Sequence, residues 1–189
     1  MPRYLLLGAL FLFALSTRAD DAKTNAPKPD TTVTLFDQDA SPSPTTRAWK
    51  FQVPPFGVEH QVRLRLEARV DWETLAGSNP WMRVAVNGHF LTRPDLLNKP
   101  FNFKMRNGMD LTWSRGDRWR VLYAPDFEAA RKIRDRPYSL AGDTEPYRYV
   151  WDITRFVQPG ENELKIYNLQ VLAKPTTLVL RDGAVEVGP

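Results

Sequence analysis

Between Val62 and Trp72 the chain alternates without a break. Val62, Leu64, Leu66, Ala68, Val70 and Trp72 are apolar, and Arg63, Arg65, Glu67, Arg69 and Asp71 between them are charged. A period of two marks a strand with one face in a core and the other in water. Such one-sided polarity suits an antiparallel sheet, because parallel sheets are covered on both faces. The apolar six should be buried and the charged five should face solvent or a binding surface, since a slip of one residue would bury five charges.

A similar alternation at Tyr149, Trp151 and Ile153, and again at Leu164 and Ile166, predicts two more strands. Gln158-Pro159-Gly160-Glu161 between them suits a type II turn, in which Pro159 presets φ and Gly160 accepts the positive φ of the third position. Trp81 to Val86 and His89 to Thr92 form a hairpin around Asn87-Gly88, a pair that favours a type I′ turn because both residues tolerate positive φ. Shorter strands are predicted over Val33–Phe36 and Ala48–Val53, separated by a loop at Ser41–Thr46 whose two prolines oppose pairing. Leu111–Trp113 and Trp119–Tyr123 read as a further hairpin. Thr177–Leu180 and Ala184–Val187 read as terminal strands around a turn at Arg181–Gly183. The one convincing helix is Asp126–Arg134, with Asp126 as N-cap and Phe127, Ala130 and Ile133 on one stripe.

Two features of composition change this picture. Arg3 followed by the apolar run Leu5–Leu15 and then small residues has the form of a secretory signal peptide, residues 1–19, with cleavage candidates at Ala14–Ser16 and Thr17–Ala19. The run falls short of the about 20 apolar residues a membrane span needs, and no later segment supplies one. The expected location is therefore secreted or periplasmic. The chain also has no cysteine, so an exported domain must rest on its core alone, and neither disulfide scaffolds nor Cys-type zinc sites apply. Residues 20–31, rich in Asp, Lys, Thr and Pro, read as a disordered leader. Residues 32–189 read as a single domain.

The net charge of +4 is spread along the chain. Nucleic-acid binding would want a denser stripe, and export argues against it, so no nucleic-acid partner is expected.

The run Trp151-Asp-Ile-Thr-x-Phe-Val-x-Pro-Gly-Glu-Asn-x-Leu-x-Ile166 resembles the closing strands of galactose-binding-like β-sandwiches, among them carbohydrate-binding modules and the sugar-binding domains of β-galactosidase-type hydrolases. Val84-Ala-Val-Asn87-Gly88-His-Phe-Leu91 matches the same family. The two motifs span about a fifth of the chain. The resemblance implies an all-β, antiparallel jelly-roll sandwich that often binds sugars and brings no catalytic residues. It also suggests a structural calcium near one edge, for which Asp37, Asp39 and Glu186 are conceivable oxygen ligands.

The stretch from Asn87 to Asp152 is longer than the simplest members need. The inserted segment, residues 93–146, carries the short helix, two tryptophans and several arginines, and function concentrates in such loops. Sugar binding needs flat apolar platforms and hydrogen-bonding groups. Trp113, Arg115, Arg118 and Trp119 gather both, and Tyr123 and Tyr138 add to them as ligand-binding candidates. Core packing is the competing explanation for each ring. A three-residue turn at Arg115–Asp117 would place the two indoles opposite each other, and a two-residue turn would place them on opposite faces. His60 and His89 lack metal-ligand spacing. Asp110, Asp117, Asp126, Asp143 and Glu145 are loop acids among which sequence selects no catalytic pair. The resulting expectation is a secreted, non-catalytic carbohydrate-binding sandwich. A structural or docking module for another exported protein is the alternative.

Overall fold

In the computed structural model, which describes residues 29–71, 80–99, 102–104, 110–121, 147–168 and 176–189, twelve strands pair antiparallel. One sheet runs β1 (Thr31–Pro42), β12 (Thr177–Gly188), β3 (Gln61–Asp71), β10 (Arg148–Asp152). The other runs β2 (Thr45–Val53), β11 (Gly160–Asn168), β4 (Trp81–Val86), β9 (Arg118–Arg120), β8 (Ser114–Arg115), and β5 (His89–Phe90) also pairs with β4. A separate ribbon joins β6 (Asn102–Lys104) to β7 (Asp110–Thr112). The core lies between the two main sheets. Trp119 of β9 meets Trp151 of β10 edge-on at 5.3 Å, and Phe36 of β1 meets Trp49 of β2 at 4.6 Å. The architecture is all-β and sandwich-like, as the alternation predicts.

Along β3 the expected split holds for the apolar residues: Val62, Leu64, Leu66, Ala68 and Val70 are all buried. Trp72 lies outside the described residues. Glu67 is the exception among the charges, with an exposure of 1%. It stands in register between Arg181 of β12 and Arg148 of β10, and Arg148 approaches it at 3.4 Å. Arginines thus flank it on both neighbouring strands, and Arg148 pairs with it, which alternation along one strand does not report. Arg65 pairs with Glu186 at 2.9 Å and Arg69 with Asp71 at 3.0 Å, while Arg63 donates to the neutral Gln61 side chain at 2.6 Å.

Both turns read from the sequence are present. Asn87 and Gly88 have φ of 49° and 83°, and Gly160 has φ of 99°. One pair of side chains ties the turns together. Asn162 Nδ2 donates to the carbonyls of Gln158 and Gly160, each at 2.8 Å, and its Oδ1 accepts from Gln158 N and from Asn87 Nδ2. Asn87 Oδ1 in turn accepts from Glu163 N at 2.8 Å. The Trp-Asp-Ile-Thr run works similarly. Trp151 and Ile153 enter the core. Asp152 accepts from the Thr154 amide and hydroxyl, and the Thr154 oxygen accepts from Val62 N at 2.8 Å.

Three local expectations change. The Ser41–Thr46 loop shrinks to Ser43-Pro44, because β1 stays paired as far as Pro42 opposite Thr177. Residues 177–188 form one continuous strand and not a hairpin. The expected turn is a bulge in β12, with Asp182 at φ 51° and Gly183 packed on the Phe36 ring. Pairing with β12 also takes in residues before 32, since β1 starts at Thr31 and Asp30 N donates to Val187 O at 2.8 Å. The expected helix Asp126–Arg134 and the signal segment lie outside the described residues.

Candidate functional site

The candidates among the described residues lie on or beside the β8–β9 hairpin at the edge of the second sheet. Its register is Ser114↔Trp119 and Arg115↔Arg118, so the connection is the two-residue turn Gly116-Asp117. Gly116 has φ of 62°, the positive value a type II′ hairpin requires at its first central position. Trp119 points inward with Met82, Val84 and Val86 of β4, all buried.

Trp113 sits at a bend between β7 and β8, which belong to different sheets. The bend breaks the alternation and turns the ring back into the core, where it meets Tyr149 edge-on at 6.4 Å. The Lys99 ammonium lies 4.1 Å from the Trp113 ring centre, and the Tyr149 hydroxyl donates to the Arg120 carbonyl. Trp113 and Trp119 are therefore both fully buried. Neither offers a platform to a sugar, and this corrects their assignment as ligand contacts: core packing claims both rings. Tyr123 and Tyr138 lie outside the described residues.

Arg115 and Arg118 are exposed, as a binding role requires. Register places them in a row that sequence does not reveal. Arg115 stands opposite Arg118, Arg118 opposite Arg83 of β4, and Arg83 opposite Tyr167 of β11. Thr46 of β2 ends the row. Asp117, in the turn, pairs with Arg83.

Around this row the outer face of the second sheet carries three half-buried aromatic rings: Trp81, Phe90 and Tyr167. Phe90 and Tyr167 touch, with centres 5.5 Å apart, over Ala85, which is buried beneath them. The Arg83 guanidinium stacks 3.7 Å from the Phe90 centre, and that of Arg120 lies 4.9 Å from Trp81. Burial pulls Arg120 below the usual arginine pKa, partly offset by Tyr149. Farther along the sheet the charges are matched, Lys165 with Glu163 at 2.7 Å and Lys50 with Glu161 at 2.9 Å. The end bearing Arg83, Arg115 and Arg118 is the cationic end of this face.

The suggested calcium ligands are not brought together. Glu186 stands opposite Thr32, five residues along β1 from Asp37, a separation of about 15 Å or more. Asp39 is held by Arg47 at 2.7 Å, and Glu186 by Arg65. His60 lies between Asp30 and Glu59, and His89 stacks on Phe156. Among the described residues no helix is long and apolar enough to cross a membrane. Comparison with protein-family models, with curated proteins and with solved structures finds no match.

Proposed function

We propose that this chain is an exported, non-catalytic carbohydrate-binding module of the galactose-binding-like, jelly-roll kind, and that its ligand lies on the outer face of the second sheet. The observation that carries this reading is the grouping of half-buried Tyr167, Phe90 and Trp81 with Arg83, Arg115 and Arg118 on one sheet face. Rings supply apolar contact to the C–H face of a sugar, and guanidinium groups donate to its oxygens. The Asn87–Asn162 link between the Asn-Gly and Pro-Gly turns, the two motifs that resemble the family, supports the fold assignment. Val58 and Leu97 are the exposed large apolar residues among those described, too few for the broad patch that a protein-docking module would present.

Affinity electrophoresis against a panel of neutral and acidic polysaccharides tests the reading. Retardation by at least one of them is expected, weakened in Tyr167→Ala while urea unfolding stays cooperative. Absence of retardation by the whole panel would overturn it.

A further inference from the structure

We infer that the preferred ligand is an acidic polysaccharide, bearing uronate carboxylates or sulfates, and that Arg115 and Arg118 are its specificity-determining contacts. This rests on the carbohydrate-binding reading above.

The argument starts from a cost. Like charges directly opposite each other on neighbouring strands destabilise a sheet. Here three arginines stand in consecutive register across β4, β9 and β8, with neighbouring strands about 4.8 Å apart. One carboxylate, Asp117, serves the row, and it is engaged by Arg83. Arg115 and Arg118 are exposed and have no carboxylate partner among the described residues. The first sheet differs: Arg65 and Arg69 each have an acid within 3.0 Å. An arrangement that costs stability in the free protein becomes favourable once an anion sits over it.

Geometry narrows the anion. The row is laid across strands, with Arg115 and Arg118 exposed, so its arginines recur at the spacing of neighbouring strands, a repeat that an extended polymer can follow. Planar guanidinium forks match carboxylates and sulfates in two-pronged contact. Tyr167 continues the row beyond Arg83, and Phe90 adjoins both. Anionic groups alternating with apolar ring faces are what an acidic glycan presents. Nucleic acid would want a wider cationic stripe than three arginines.

The test uses polygalacturonate and chondroitin sulfate, with highly methyl-esterified pectin and chemically desulfated chondroitin as uncharged or less charged counterparts. Wild-type protein should be retarded by at least one acidic polymer and at least tenfold less by its counterpart. Each of Arg115→Gln and Arg118→Gln should weaken that binding about tenfold or more, as loss of a charge-assisted contact does. Raising salt from about 0.05 to about 0.5 M should weaken it further as screening tightens. Arg65→Gln, on the first sheet, should leave binding unchanged. Relief of like-charge opposition means that neither hairpin variant should unfold at lower urea than wild type, which separates ligand contact from a structural role.

Equal binding to charged and neutral forms, or binding indifferent to both hairpin substitutions, would overturn this inference and leave the carbohydrate reading standing. Failure to bind any polysaccharide would overturn the carbohydrate reading itself. Equally tight binding to duplex DNA, or to vesicles of anionic phospholipid, with the same dependence on Arg115 and Arg118, would show a general polyanion surface and also overturn it.

Discussion

Gly160 offers the sharpest test of how turn chemistry holds these sheets together. Its φ of 99° lies beyond the left-handed region that L-residues visit at about +50 to +70°. A Cβ built there meets nothing within 4 Å, so Gly160→Ala introduces backbone strain and no clash. Strain of this kind is on the order of 1–3 kcal/mol. Reduced freedom of the unfolded chain returns about 0.4–1 kcal/mol. The expected net loss is about 1–2 kcal/mol for Ala, and more for Val, whose branched Cβ narrows the backbone further. For a domain of this size that lowers Tm by roughly 2–8 °C. Urea unfolding followed by the fluorescence of buried Trp113, Trp119 and Trp151 gives the midpoint directly. Gly183 supplies the contrast. Its φ is not positive, but a Cβ would lie 2.3 Å from the Phe36 ring. Gly183→Ala should therefore be destabilising through sterics, and Phe36→Leu should partly rescue it while leaving Gly160→Ala unrescued. An unchanged midpoint for Gly160→Ala, or rescue of both by Phe36→Leu, would refute the reasoning.

Other expectations follow from the core and its charges. Leu66→Ala, at a site with no exposed surface, should cost about 2–5 kcal/mol through the cavity it leaves, measured by the same urea titration. Glu67→Ala removes the buried carboxylate beside Arg148 and should cost about 1–3 kcal/mol; a midpoint equal to wild type would show that Arg148 and Arg181 hold nothing there. Burial pushes the Asp152 carboxyl upward, but the hydrogen bonds from Thr154 and Gln61 and the charge of Arg155 outweigh it and hold the carboxyl below its usual pKa. A depressed carboxylate stabilises the fold above its unfolded pKa of about 4 and loses that contribution as pH falls through the folded value. Asp152→Asn should accordingly be less stable than wild type at pH 6, with the difference shrinking toward pH 2; a difference independent of pH would count against this assignment.

Local patterns settled much of the architecture before any tertiary information. The inward set from Val62 to Val70 follows from a period of two, and the turns at Asn87-Gly88 and Gly160 follow from which residues accept positive φ. These are properties of adjacent residues, so a sequence displays them. What the sequence could not display depends on distant partners. Glu67 looks solvated along its own strand and is buried because Arg148 and Arg181 arrive from two other strands. Trp113 and Trp119 look like a binding pair and are core residues, because a bend between two sheets turns one ring inward and pairing with β4 turns the other. Residues 181–183 carry the composition of a turn, yet pairing to β1 and β3 on both sides keeps β12 continuous and makes them a bulge. The row joins Arg118 and Arg115 of one hairpin to Arg83, which lies more than thirty residues earlier in the chain. Its charge opposition exists only once register is set, and register between distant strands is fixed by the burial of their opposite faces, a property of the assembled core.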